Sequence, residues 1–138
     1  MSAVRLDGFT AARTHLKELL DAALRGHVAT VRRDRSQVAL VDGERMRHFL
    51  ASIISSQAEV VKEGDGWSIF IPGLPIAADG ATFDEAIDEM VGALREYAED
   101  WQERLSVASN HRENWALVQL ISLSDTAELR DWLVGARR

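Results

Sequence analysis

Between Thr82 and about position 105, the apolar residues Phe83, Ile87, Met90, Val91, Leu94, Tyr97 and Trp101 recur every three or four positions. That interval places them on one side of an α-helix, and a stripe of this length must be covered by another apolar layer. Thr82 stands at the N-cap position, and Glu85 completes a capping box three residues on. The covering layer lies just upstream. Positions 58–62, 67–71 and 76–78 read as short strands, with Trp67, Ile69 and Ile71 on one face. Glu63-Gly64-Asp65-Gly66 and Pro72-Gly73-Leu74-Pro75 separate them as turns. Strands followed by a helix predict an α+β unit. Downstream, the segment 115–121 (WALVQLI) is almost continuously apolar and fits either a buried strand or a buried helix. The strand is preferred, because it would complete a four-stranded sheet. Ser124 is then the expected cap of a last helix over 125–134, with Leu129, Trp132 and Leu133 inward and Gly135 at its end.

The first fifty residues follow a different plan. Positions 4–6 form a possible edge strand, and Thr10 is placed to cap a helix carrying Leu16, Leu19, Leu20, Ala23 and Leu24 as one apolar stripe of about four turns. Gly26 ends it. Val28, Thr30 and Val31, then Val38, Ala39, Leu40 and Val41, predict a hairpin closed by Arg32-Arg33-Asp34-Arg35. Asp42 and Gly43 open a shorter helix through Met46, Phe49 and Leu50. A β-α-β-β-α unit this small has a thin core and is expected to need a partner copy. The polar stretch ASIISSQ at 51–57 suits a hinge or the fraying end of that helix, although Ile53 and Ile54 also suit packing. The expected domains are therefore 1–52 and 57–138.

Charge divides along the same line. Residues 1–51 carry nine Arg and Lys against six Asp and Glu, a net +3; residues 52–138 carry seven against sixteen, a net −9, within an overall −6. A basic front on an acidic chain predicts a polyanion for one end and a basic partner for the other. Cysteine is absent, which excludes disulfides, thiolate metal sites and cysteine nucleophiles. The four histidines, His15, His27, His48 and His111, lack paired metal-ligand spacing, so no metal or other cofactor is expected. No apolar run approaches the roughly 18 residues of a membrane span, and no signal-peptide pattern opens the chain. A cytoplasmic protein without a membrane partner is the expectation.

Several stretches carry family resemblances. The run Phe9-Thr10-Ala11-Ala12-Arg13-Thr14-His15-Leu16, Arg32 after the first hairpin strand, the strand Val38-Ala39-Leu40-Val41 and the helix start Asp42-Gly43-Glu44-Arg45-Met46 resemble the Phd/YefM antitoxin domain. The resemblance implies a dimer with paired sheets that binds operator DNA through its N-terminal region and represses its own toxin-antitoxin operon. Gly66-Trp67, Pro72-Gly73-Leu74-Pro75, Asp79-Gly80-Ala81-Thr82 and Glu85-Ala86-Ile87 are similar to a HicB-type antitoxin domain, with Ile76 where that family usually carries Gly-Cys. This second resemblance implies a β-β-β-α(-β-α) unit, partly ribonuclease-H-like, that binds a partner toxin and has no nuclease activity.

The expected DNA-binding residues are Arg5, Thr10, Arg13, Arg32, Arg33 and Arg35. A helix N-terminus favours phosphate, and Arg5 and Arg13 flank such a start. Arg13 and Arg32 also occupy positions to which the Phd/YefM resemblance gives a DNA contact. Arg33 and Arg35 join Arg32 at one hairpin end, where like charges repel unless an anion is near. The plainer alternative for each is a solvated arginine. The expected toxin-binding residues are Glu96, Glu99, Asp100 and Glu103 from the polar side of the long helix, with Trp115 and Trp132. The plainer meaning of an acidic row is solubility.

These features together predict a non-enzymatic antitoxin of a type II toxin-antitoxin system. It would neutralise a basic toxin encoded next to it and bind operator DNA as a homodimer or higher even oligomer. A second reading is a free-standing dimeric transcriptional regulator whose C-terminal half senses a ligand or assembles oligomers. A third is a magnesium-dependent nuclease using Asp65, Asp79 and Asp84, although Asp79 and Asp84 are better explained as turn and helix-start residues.

Overall fold

The computed structural model describes residues 3–135. They form a mixed α+β protein that divides into two compact units, one running up to Met46 and the other from Arg47 onward.

The first unit contains β1 (Val4–Asp7), α1 (Phe9–Thr14), α2 (Leu16–Leu24), β2 (Ala29–Arg33) and β3 (Ser36–Ala39). β1 and β2 are parallel, with Val4 opposite Ala29, so the chain must cross over between them, and α1 and α2 are that crossover. β2 and β3 are antiparallel and joined by Asp34-Arg35, with Arg33 opposite Ser36. Asp34 takes φ +53°, a left-handed conformation that aspartate tolerates better than most residues. At its end α2 closes with Gly26 at φ +78°, where the Gly26 amide reaches Ala23 O (3.0 Å) and the His27 amide reaches Ala22 O (2.9 Å).

Two expectations for this crossover are corrected. The single four-turn helix is two helices, broken at His15, whose φ −111° and ψ 28° leave the helical region. Thr14 and His15 are weak helix formers placed together, and the break swings the second helix onto the sheet. The N-cap of α1 is Gly8, so Thr10 lies inside the first turn and caps nothing. The break also redistributes the predicted stripe. Leu19, Ala22 and Ala23 are buried with Ala29 as the core, while Leu16, Leu20 and Leu24 are 49%, 46% and 63% exposed.

α3 (Gly43–Ile53) runs through the division between the units. In the second unit β4 (Glu59–Glu63), β5 (Gly66–Phe70) and β6 (Ala77–Gly80) form an antiparallel sheet in the order β4-β5-β6. α4 (Phe83–Glu103) covers one face of it, burying Ile87, Met90 and Leu94 against Ile69 and Ile76. Thr82 Oγ1 accepts from the Glu85 amide (3.1 Å), and the Glu85 carboxylate accepts from the Ala81 amide (3.0 Å). Gly80 permits the close approach of β6 to this helix start: a Cβ there would lie 2.8 Å from Ala86 Cα.

After two short 3-10 turns at Leu105–Val107 and Arg112–Asn114, the remaining α-helices are α5 (Trp115–Leu123) and α6 (Thr126–Gly135). The preferred strand over 115–121 is therefore wrong, and the sheet has three strands. Ala116, Leu117, Gln119 and Leu120 are good helix formers and no Gly or Pro interrupts them, and α4 presents an apolar flank on which Val118 and Ile121 are buried. Arg95 of α4 secures the end of α5 by donating from Nη1 to Ile121 O (2.7 Å) and from Nη2 to Ser124 O (2.8 Å). The expected cap of α6 is corrected as well. Ser124 turns back to Leu120 O (2.6 Å), while Asp125 and Glu128 form the reciprocal box: the Glu128 amide to Asp125 Oδ1 (2.8 Å), and the Asp125 amide to Glu128 Oε1 (2.9 Å). Between α3 and β4, Ser56 is buried with its hydroxyl donating to Leu133 O (3.2 Å), and Trp132 Nε1 donates to Ile54 O (2.7 Å). That part of the segment is packed onto α6.

Candidate functional site

The two candidate surfaces are a set of arginines on the first unit and an acidic flank on the second. In β1 and β2, side chains alternate between the two faces of the sheet. Val4, Leu6, Ala29 and Val31 turn to the helices, so Arg5 and Arg32 share the opposite face, with Asp7 beside Arg32 in the register. Arg33 falls on the helix side, where its guanidinium stands 5.9 Å from the centroid of the Phe9 ring. Arg13 lies in the last turn of α1, and Arg35 sits in the hairpin turn. Thr10 is exposed in the first turn of α1. The six residues singled out in the sequence are all exposed but do not form one cluster: Arg5 and Arg32 share one sheet face, Arg33 stands over Phe9 on the other, and Thr10, Arg13 and Arg35 lie on α1 and in the hairpin turn. Phe9 was not anticipated as part of this surface, because in the sequence it is one aromatic residue at a helix start.

None of these five arginines is ion-paired among the described residues. In the first unit Arg45 pairs with Asp42 (3.5 Å), and in the second unit four of the five described arginines, all but Arg112, are held. Arg47 pairs with Glu128 (2.7 Å), Arg104 with Asp100 (2.7 Å), and Arg130 with Asp84 (3.2 Å) and Asp88, while Arg95 is spent on carbonyls. By residue count the first unit carries eight Lys and Arg against six acids, and the second eight against sixteen.

On the second unit, Glu96, Glu99, Asp100 and Glu103 come together above Pro75, Ala77 and Ala93 in an open cleft of about 450 Å³. A smaller cleft of about 230 Å³ shares Ala77, Ala93 and Glu96 with it and extends to Asp79, Glu89 and Gly92. Asp100 is held bidentately by Arg104, and its carboxylate keeps the Arg104 guanidinium above its usual range. Glu89, Glu96, Glu99 and Glu103 have no ion-pair partner among the described residues. Trp115 and Trp132 do not join this cleft. Trp115 is half exposed at the start of α5, and Trp132 lines a separate cleft of about 490 Å³ with Ile53, Ile54 and Leu74. The small residues Ala77, Gly92 and Ala93 that make room for the acidic cleft were not foreseen; the absence of bulk opposite the acids is the only signal the sequence carries.

Asp65, Asp79 and Asp84 do not converge. Asp79 accepts from Ser68 Oγ (2.6 Å), Asp84 faces Arg130, and Asp65 is in the β4–β5 turn. Among the described residues no group of three His, Asp or Glu side chains is placed to hold a metal ion, and no helix is long and apolar enough to cross a membrane.

Comparison with known proteins places the chain in a family. Among curated proteins no relative matches. A crystal structure from Syntrophomonas wolfei subsp. wolfei, described as an antitoxin part of a proposed toxin/antitoxin system, superposes with a TM-score of 0.78, covering 96% of each chain at 20% identity. At that identity the likeness establishes a shared fold. The PHD_like family model, described as "Antitoxin of toxin-antitoxin, RelE / RelB, TA system", matches residues 4–133. This chain therefore belongs to the PHD_like family of antitoxins.

Proposed function

We propose that the chain is a type II antitoxin in which two parts divide the work. Residues 1–52, the Phd/YefM-like part, dimerise and bind operator DNA to repress the operon. Residues 57–138, the HicB-like part, capture a basic toxin directly, without catalysis, in the cytoplasm. The observation that carries this reading is the unequal use of arginine: the first unit leaves Arg5, Arg13, Arg32, Arg33 and Arg35 without carboxylate partners, whereas Arg47, Arg95, Arg104 and Arg130 of the second are tied down. Unpaired, exposed guanidinium groups gain most from phosphate, because binding releases condensed counterions and costs no internal ion pair.

Leu16, Leu20 and Leu24 repeat at intervals of four along α2 and leave an apolar row exposed. Against a core whose fully buried members are one leucine and three alanines, that row supports association of two copies.

The test is binding to the upstream promoter fragment at several salt concentrations. Arg13→Ala and Arg32→Ala should each weaken binding and lower the slope of log K against log salt by about one for each phosphate no longer neutralised. Variants with the wild-type slope would remove those arginines from the DNA interface. Co-expression with the product of the adjacent gene, scored by growth, tests capture.

A further inference from the structure

β6 is an edge strand: β5 lies on one side, and no described strand lies on the other. The Ile71 amide donates to Ile76 O (3.1 Å), and this sets the phase of the ladder. In antiparallel pairing the bonded pairs alternate, so Ala78, opposite Ile69, turns its backbone groups toward β5, while Ala77 and Asp79 turn theirs outward. No other backbone bond among the described residues takes up the outward groups of Ala77 and Asp79. The opposite edge, β4, reads Glu-Val-Val-Lys-Glu and carries the charges that discourage pairing; β6 reads Ala-Ala-Asp-Gly, with neither Lys nor Pro.

Beside this edge run the two joined clefts, about 450 and 230 Å³, floored by Ala77, Gly92 and Ala93. Their wall is Glu89, Glu96, Glu99, Asp100 and Glu103, of which only Asp100, held by Arg104, has an ion-pair partner among the described residues. Glu96 and Glu99 are three residues apart on one helix, and Glu99 and Glu103 four apart; like charges at such spacing repel until a cation comes between them.

We propose that this trough is where the toxin seats a basic strand, pairing with Ala77 and Asp79 as a fourth strand of the sheet. The proposal rests on the toxin-capture reading and specifies its geometry. Main-chain bonds to β6 hold the incoming segment, about 4.8 Å from it. Lys or Arg at alternate positions of that segment turn toward the α4 carboxylates, and the uncharged floor lets its backbone come close. The partner segment is therefore extended, with basic residues at every second position.

The test measures binding of the purified adjacent-gene product to the full-length chain. Ala77→Pro removes one outward N–H and leaves the bonds to β5 intact; Glu96→Lys/Glu99→Lys reverses the wall; Lys62→Pro makes the matching change at the β4 edge. The first two should each weaken binding at least about tenfold, the charge variant should also flatten its salt dependence, and Lys62→Pro should stay within about twofold. Hydrogen exchange on the wild-type complex reads the same edge even if Ala77→Pro folds poorly: the Ala77 and Asp79 amides should become protected when the toxin binds. If the wild type binds but those amides stay unprotected, or both trough variants bind like wild type, the trough is not the site while capture stands. If the wild-type chain does not bind the adjacent-gene product, the capture reading fails and the trough falls with it.

Discussion

Gly80 shows how much one missing side chain can decide. The close approach of β6 to the start of α4 leaves no space for a Cβ, which would meet the Ala86 Cα and the Glu85 carbonyl carbon at 2.8 Å, both backbone atoms that cannot swing aside. Gly80→Ala should therefore cost about 1–3 kcal/mol in urea unfolding, the usual penalty for overpacking. At Asp21 the Lys17 ammonium donates to the carboxylate (2.8 Å) and holds it below the ordinary carboxylate range, with Lys17 raised in return. A depressed folded-state value means the pair stabilises α2 above the ordinary carboxylate range, and its contribution is lost as pH falls through the depressed value. Both groups face solvent and are screened, so the effect is best seen locally: Lys17→Met should raise the Asp21 titration midpoint measured by NMR. In the sequence the pair is visible as an i, i+4 spacing, whereas nothing in Asp79-Gly80-Ala81 reveals the clash that makes Gly80 necessary.

Among the elements, α4 was legible because twenty-one residues keep one period and carry a capping residue at the start. α5 was not. Nine nearly continuous apolar residues satisfy a strand and a helix equally, and the choice was made by the α4 flank and by Arg95, whose guanidinium accepts nothing and donates to two carbonyls at the end of α5. Arg95→Met keeps the stem but leaves Ile121 O and Ser124 O without that donor, so it should cost about 1–3 kcal/mol in chemical unfolding. Asp125→Ala, which removes the cap of α6, should cost about 1 kcal/mol by the same measurement. The broken α1–α2 crossover makes the converse point. The leucine spacing was read correctly as helical, yet the kink at His15 chose which leucines are buried, and a periodic stripe carries no information about such a rotation.

For the molecule as a whole, the exposed Leu16-Leu20-Leu24 row makes a prediction that belongs to the assembled protein. On the proposed pairing of two copies through this row, Leu16→Glu/Leu20→Glu should shift the sedimentation profile of the full chain from dimer to monomer and reduce promoter affinity with it; a double variant that remains dimeric would place the interface elsewhere. Three things were set by the sequence alone. They are the α+β class, the three strands and long helix that open the second part, and the contrast between basic front and acidic rear, since periodicity, turn residues and charge are properties of neighbours along the chain. Three others were decided only by tertiary structure: that 115–121 is a helix, that Arg5, Arg13, Arg32, Arg33 and Arg35 stay without carboxylate partners while Arg47, Arg95, Arg104 and Arg130 are held, and that β6 has no further strand beside it among the described residues, next to unpaired carboxylates. Each depends on which residues distant in sequence come within a few ångströms, and in a short apolar run or a scattered set of charges local preference is too weak to outweigh that packing.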